Sequence, residues 1–286
     1  MDINKQAPFS LLVFCIVVTI GNGFDTTSNM LTESEAMNYL EKFNYLNETV
    51  VKAALPTGVM PVSIVEGAIS KFQEMFNIPI TGKFDEETLR KMALPRCGVK
   101  DVTDNGPAKR YGKQVWPKKA LSWKITGYSK TSTLNQFEQR DAMRRAFDIW
   151  AKQTPLRFEY KEGDITDMSI KFGSRYHGDS QPFDGPGKVL AHATLPTDGN
   201  IHFDDEEKWL LGAKAEKEGH DLYIVAAHEF GHALGLEHSN VRGSLMAPTY
   251  TYSSNLILNW NDVLDIQGLY GRSSFKRKNT WWFLRK

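Results

Sequence analysis

From His228 to His238 the chain reads HEFGHALGLEH, and the spacing of its three histidines is that of a metal site. On a helix, His228 and His232 stand four residues apart and project from one face, so both rings can reach one ion. Gly235 can adopt a left-handed conformation, end the helix and swing His238 back as a third ligand. Three neutral imidazoles around a tetrahedral zinc leave the fourth position open, which suits a catalytic site. Glu229, beside the first ligand, is placed to take a proton from a water molecule and deliver it to a leaving amine. A bare HExxH recurs by chance. The glycine, the third histidine and a downstream SLMAP stretch that sets a methionine turn at Met246 make the longer pattern far rarer. These residues predict zinc hydrolase chemistry.

A second cluster precedes the first. His177, Asp179, His192 and His202 are three histidines and a carboxylate, which together fill four positions and describe a closed, structural zinc. Of the seven histidines in the chain, the two sets absorb six. His220 is left over and reads as a surface residue near a helix start. Oxygen-rich stretches flank this cluster: FDGPGKV from Phe183 to Val189, and the acidic run Asp204 to Glu207. Calcium takes six to eight oxygens from such carboxylates and turned carbonyls. A solvated acidic loop that binds nothing has the same composition.

The elements that must carry these groups follow from patterning. Leu121, Trp123 and Ile125 alternate as in a strand, as do Leu156, Phe158 and Tyr160, and again Met168, Ile170 and Phe172. Ile201 to Phe203 reads as a further short strand. Met143, Phe147 and Trp150 predict a helix over about 134–152, and further helices are expected near 220–234 and 261–270. Strands and helices interleave loosely, so the fold class is α+β. Upstream, residues 33–94 read as a small helical unit whose stripe is Val62, Val65, Ile69, Phe72 and Phe76, with Asp85 capping a short last helix. Residues 98–119 lose periodicity and read as an exposed linker of the kind proteases cut.

The N-terminus has Lys5, an apolar run over 11–20 and small residues before a cut near Gly23, the pattern of a signal peptide. That apolar run is about ten residues, too short to span a bilayer, and no later segment is long and apolar enough to do so. Secretion to the extracellular space or matrix is therefore expected, with Asn47-Glu48-Thr49 as a glycosylation acceptor. The chain has two cysteines, Cys15 and Cys97, and the first leaves with the signal peptide. Cys97, in the stretch PRCGVKD from Pro95 to Asp101, then has no intramolecular partner. The net charge of +1 gives no reason to expect nucleic acid as a partner.

Over about 33–271 the chain resembles a matrix metalloproteinase, the matrixin branch of the metzincins. The resemblance is carried by PRCG, HGDSQPFDGPGKVLAHA, IHFDDEEKW, HEFGHALGLEHS, LMAPTY and IQGLYG. Ser239, directly after the third histidine, resembles the matrixin choice over that of the astacin or adamalysin branches. The short tail is similar to the minimal, matrilysin-like form without a hemopexin domain. The resemblance implies a metzincin catalytic domain, a twisted mixed sheet with three helices, preceded by a small all-helical prodomain. The expected organisation is 1–23 signal peptide, 24–110 prodomain with cysteine switch and cleavable linker, 111–271 catalytic domain and 272–286 basic, aromatic tail.

It further implies two zinc ions and at least one calcium. His228, His232 and His238 would bind the catalytic zinc with Glu229 as general base and acid, and His177, Asp179, His192 and His202 the structural one. Asp184, Gly185, Gly187, Val189, Asp204 and Glu207 match a calcium site. Asp167 matches one ligand of a second, although the short loop 196–202 and Asn200, where an aspartate is usual, depart from that pattern. Ile224 aligns with the residue that sets the depth of the primary specificity pocket, and an aliphatic side chain there implies an open apolar slot. A thiolate is a strong zinc ligand, so Cys97 can hold the fourth position and keep the enzyme off, with Arg96 and Asp101 pairing to hold its turn. Lys100 stands where a proline is usual and implies a looser turn. The expected partners are extracellular proteins cut internally, collagen among them, an activating protease and inhibitors of the tissue-inhibitor type, for a monomer.

Three other readings fit parts of the chain. A latent structural protein would keep its cysteine plug permanently, but the cuttable linker argues otherwise. A silent metal-binding module would keep the ligands and lose the base, but Glu229 is present. The tail from Phe275 to Lys286, rich in bases and aromatics, could touch membrane surface or sulfated glycans, or be a solvated end.

Overall fold

The computed structural model describes residues 30–54, 60–103, 106–107, 114–163 and 165–273. The expected signal peptide, the expected boundary between residues 110 and 111, where cleavage would fall, and the tail from 274 lie outside the described residues. The chain divides into two compact units, with the boundary between Ala93 and Leu94. Among the described residues no helix is long and apolar enough to cross a membrane.

The first unit is helical: α1 (Glu33–Lys42), α2 (Glu48–Ala54), α3 (Val62–Met75) and α4 (Glu86–Met92). Thr32 and Glu35 form a reciprocal capping box that starts α1. Asp85 caps α4, its carboxylate accepting from the Thr88 N–H. Leu40, Phe43, Ile69 and Phe72 make the buried core. The stripe expected on α3 starts later than its spacing implied, because Val62, in the first turn, is 72% exposed. Gln73 is fully buried on that helix, and its amide donates to Thr81 and Thr88 while accepting from the Thr81 and Gly82 N–H groups. One side chain thus satisfies the loop that leads into α4.

The second unit opens with β1 (Arg96–Cys97), β2 (Val102–Thr103) and β3 (Gly106–Pro107), then β4 (Ala120–Gly127) and α5 (Gln136–Ala151). There follow β5 (Arg157–Tyr160), β6 (Met168–Gly173), β7 (Val189–Ala193), β8 (Asn200–Asp204) and β9 (Trp209–Leu210). The chain continues through α6 (Ala213–Glu218), β10 (His220–Asp221), α7 (Leu222–Ala233) and α8 (Trp260–Tyr270). A six-stranded sheet runs β1-β7-β8-β6-β4-β5, with β7 antiparallel to β8 and every other pair parallel. The sheet is mixed and the class α+β, as expected, with one short helix, α6, beyond the three anticipated. Leu121, Trp123, Ile125, Met168, Ile170 and Phe172 all point into the core, as their alternation requires. Against this face lie α5 and α7, joined by the stacked rings of Phe147 and Phe230, 3.7 Å apart, and by a bond from Trp150 Nε1 to the Ala227 carbonyl.

The stretch expected as an exposed linker is partly core. Asp101 is fully buried, and Trp116 is buried with its indole N–H donated to the Ala233 carbonyl at the end of α7. Trp116 carries no periodic signal because a distant partner holds it instead of its own element, and Asp101 is held across a turn by Arg96, five residues away.

Candidate active site and metal centres

α7 begins at Asp221, whose carboxylate accepts from the Tyr223 N–H, and from Ile224 onward every residue of the helix is buried. It ends where Gly235 takes φ +98°, with the Leu236 N–H bonded back to the Gly231 carbonyl. A Cβ at Gly235 would lie 2.4 Å from the Gln114 carbonyl oxygen, so both the turn and the packing call for glycine. The turn returns the chain so that the rings of His228, His232 and His238 lie with centroids 4.6–5.3 Å apart.

Outer partners fix two of these rings. His228 Nδ1 lies 2.7 Å from the Leu245 carbonyl and His232 Nδ1 2.7 Å from the Leu236 carbonyl. A carbonyl only accepts, so each Nδ1 must carry the proton and each Nε2 must present a lone pair inward. The two Nε2 atoms are 3.1 Å apart. Lone pairs at that distance repel unless a cation lies between them. Nitrogens about 2.0–2.1 Å from one tetrahedral zinc would stand roughly 3.3 Å from each other, so the donor set fits the ion. Cys97 is the fourth member: its sulfur and one nitrogen from each of the three histidines lie within 4.8 Å of one another, all four residues buried.

Glu229 is fully buried, and neither carboxylate oxygen has a well-formed hydrogen bond among the described residues. Burial pushes its pKa up to about 8, with the nearby Cys97 thiol acting in the opposite direction. Burial pushes the Cys97 thiol well up in turn, with the Glu229 carboxylate adding to it and the Arg96 charge opposing it. A cation among the imidazoles would reverse that direction, since a coordinating thiol gives up its proton.

Residues 95–98 lie extended across the site. The Arg96 N–H donates to the Lys188 carbonyl (2.8 Å) and the Gly98 N–H to the Ala191 carbonyl (2.8 Å), on the β7 side. On the other side the Cys97 N–H donates to the Pro248 carbonyl (2.9 Å), and the Tyr250 N–H donates to the Pro95 carbonyl (2.9 Å). β1 runs parallel to β7. Arg96 and Asp101 pair in two bonds of 2.9 and 2.6 Å, both buried, while Arg96 Nε donates to the Cys97 carbonyl (2.9 Å). Burial is the largest single influence on the Asp101 carboxyl and would raise it, but the Arg96 guanidinium and the His238 ring together outweigh it and hold the group well below the usual carboxylate range.

Met246 lies directly under α7, and a Cβ at Gly231 would meet its sulfur at 2.3 Å. Asp262, in the capping box of α8, accepts from the Leu245 N–H (2.7 Å) and from the Ser244 hydroxyl. Leu245 is the residue whose carbonyl holds His228, so Asp262 steadies that histidine through a single residue. Sequence reading did not single out Asp262. Its only local signal is the N-cap pattern Asn259 to Asp262.

The second cluster is equally close. Pairing of β7 with β8 sets His192 directly opposite His202. Asp179 Oδ2 lies 3.1 Å from His177 Nε2, 2.8 Å from His192 Nε2 and 2.7 Å from His202 Nδ1. His177 Nδ1 meets the Arg175 carbonyl at 2.9 Å, so its Nε2 also faces inward bare. Burial, foremost, lowers the His192 pKa to about 4, keeping it a neutral donor. Four converging donors fit a closed zinc site. Among the described residues these two clusters alone bring three or more histidine, cysteine or acidic donors within 4.8 Å.

The calcium candidates are gathered more loosely. Glu207 accepts from the Gly187 N–H (2.6 Å) and Asp184 from the Val189 N–H (3.0 Å), which joins the 184–189 loop to the acidic run. Asp204 Oδ2 is buried without a hydrogen-bond partner. Burial, then the Glu207, Glu206 and Asp184 carboxylates, push the Asp204 pKa up to about 6. Arg175 takes the Asp184 carbonyl (2.9 Å) and crowds the Cα of Gly185. Asp167 lies apart from this group: its carboxylate accepts from the Ser122 N–H (2.7 Å) and hydroxyl (2.9 Å) and meets Lys118 Nζ at 2.7 Å. His220 is not the surface residue its position suggested. Its side chain is 13% exposed, with Nε2 at 3.2 Å from Glu207 Oε2, because β10 pairs with β9 and carries it inward. Ile224 is buried one turn before His228. Asn47 accepts from the Thr49 N–H (2.7 Å) at the start of α2.

Fold and site together define an α+β unit in which three histidines, and a cysteine from its own first strand, converge as donors that could hold a metal ion. The matrixin family profile matches residues 115–271, and a profile described as a putative peptidoglycan binding domain matches residues 34–92. The chain belongs to the matrixin family of peptidases. It is 37% identical to human neutrophil collagenase over 275 residues, covering 94% of this chain and 56% of that protein. It is 40% identical to matrix metalloproteinase-16 of human and of mouse over 252 residues, covering 82% of this chain and 40% of each relative. The chain thus spans about half the length, or less, of these relatives.

Proposed function

We propose that the chain is a secreted, latent zinc endopeptidase of the extracellular space that cuts extracellular matrix proteins, collagen among them, and that Cys97 keeps it inactive. The carrying observation is the position of residues 95–98, bonded to both sides of the site with the Cys97 sulfur among the three imidazoles. A peptide substrate would use the same groups in the same extended form, adding backbone bonds at the β7 edge once the segment has gone. His228, His232 and His238 would hold the ion, which when bound supplies a Lewis acid for the scissile carbonyl and an activated water. Glu229 takes the proton of the attacking water and passes it to the leaving amine. Its carboxylate stands beside the first ligand, buried and with no hydrogen-bond partner among the described residues, which leaves both oxygens for that work. Ile224 helps line an apolar slot for the side chain just after the cut. A peptide library that preferred charged residues there would overturn this specificity.

The test compares the intact chain, the intact chain after thiol modification, and the Glu229→Ala variant on a quenched peptide. Cutting is expected only after the thiol is modified or the segment removed, and not in the variant. Equal activity in the wild type and the variant would end the peptidase reading.

Asp184, Glu207, Asp204 and the carbonyls of Gly185, Gly187 and Val189 would hold one calcium, supported by the unpartnered Asp204 oxygen. Binding at 100 times Kd stabilises by about 2.7 kcal/mol. A calcium-selective chelator should therefore lower the melting temperature of the second unit by several degrees, and an unchanged melt would rule the site out. An activating protease cutting near Tyr111 and inhibitors of the tissue-inhibitor type complete the expected partners.

A further inference from the structure

We infer that the 95–101 latch supplies two groups to the metal centre: the Cys97 thiol, and, through Asp101, an outer partner for the third histidine that leaves with the latch. This rests on the latency reading above. The three imidazoles are not held alike. His228 and His232 are each fixed at Nδ1 by a carbonyl of the catalytic unit, 2.7 Å away in both cases. His238 has no hydrogen-bonded partner at either ring nitrogen among the described residues. What stands beside its Nδ1 is Asp101 Oδ1, at 2.7 Å, with both side chains fully buried. The carboxylate approaches off the N–H direction, so the contact is electrostatic before it is an aligned bond.

Asp101 is itself held. Arg96 grips it with two bonds while its Nε takes the Cys97 carbonyl, so guanidinium, thiol and carboxylate form one rigid turn. The thiol and the carboxylate therefore reach the histidines together. A carboxylate behind a ligating imidazole pins the ring and makes it a stronger donor, and losing such a partner typically weakens metal binding 10–100-fold. In the latent chain Asp101 is a positioning residue for His238. Activation removes it and leaves that ligand the least supported of the three. A purely structural Asp101, present only to neutralise Arg96, would leave His238 unaffected.

The test reads imidazole Nδ1–H exchange by NMR in the zinc-loaded full chain, beside zinc release to a chelator and the reactivity of Cys97 to a thiol reagent. The variant is the double change Arg96→Met with Asp101→Leu, since apolar residues of similar volume commonly replace a buried ion pair without loss of fold. With Cys97 still protected, the His238 proton should exchange at least tenfold faster and zinc release should quicken about tenfold. The His228 and His232 protons should not change. If all three protons keep their wild-type rates, the inference is wrong. Should the double variant expose its thiol, the wild type before and after removal of the latch decides. Selective loss of His238 protection supports the inference, and retained protection overturns it. A wild-type chain that is already active, with a freely reactive Cys97, would overturn the latency reading and this inference with it.

Discussion

Gly231 and Arg96 show how much of the site depends on residues that never touch an ion. Gly231 lies between two ligands, and the sulfur of Met246 occupies the space a Cβ would need. Gly231→Ala must push Met246 away, and overpacking of this kind costs on the order of 1–3 kcal/mol. Met246 follows Leu245, whose carbonyl orients His228, so the displacement should also reach the metal. We expect a lower melting temperature and zinc affinity reduced about tenfold, by competition with a chelator. Wild-type values for both would show that the turn yields without consequence. Arg96→Met alone has a different outcome from the double variant above. It leaves the Asp101 carboxylate buried without its guanidinium, a loss on the order of 3–5 kcal/mol for a pair of this kind. That penalty falls on the latch, so Cys97 should become reactive and the uncut chain should hydrolyse peptide. A variant that stayed latent and unreactive would mean the turn is held by its backbone bonds alone.

Local elements were the legible part of this protein, and long-range partners were not. The spacing of His228 and His232, the stop at Gly235 and the alternation of Leu121, Trp123 and Ile125 are periodic facts that depend on a few neighbouring residues. His177, Asp179, His192 and His202 read as one four-donor set, and the β7–β8 register explains why His192 and His202 meet. The contact between Asp101 and His238 crosses 137 positions and has no local signature (238 minus 101). The same holds for Asp262, which reads only as a cap, and for Trp116, which belongs to the core through the Ala233 carbonyl. The turn at 98–101 is the element where a local departure makes a prediction. The Val99 N–H meets the Cys97 sulfur at 3.3 Å, so the turn shapes the thiol's surroundings directly. Replacing Lys100 with proline removes freedom from the opened latch, an effect of about 0.4–1 kcal/mol where the backbone tolerates it. Activation by a thiol reagent should slow roughly two- to fivefold. Unchanged rates would show that stiffness at this position is not what limits opening.

At the scale of the whole chain, the compact units and the expected processing site divide the molecule at different places. Cutting is expected near 110, whereas the second compact unit begins at Leu94. The latch therefore belongs to the second unit: β1 is the outer strand of its sheet, and Arg96 and Asp101 are buried within it. Removing the helical unit and removing the inhibitor are then separate events. A recognition site for a specific protease, placed at the Ala93–Leu94 boundary of the full chain, can separate them. A cut there should release residues before 94 yet leave Cys97 protected and peptide hydrolysis low, since the bonds to Lys188, Ala191, Pro248 and Tyr250 all survive. A second cut, in the same site placed after Arg110, should then restore full activity, because the segment bearing Cys97 and Asp101 is no longer tethered to the catalytic unit. Full activity after the first cut alone would mean that the helical unit holds the latch in place, and that the contacts within the second unit are too weak to do so.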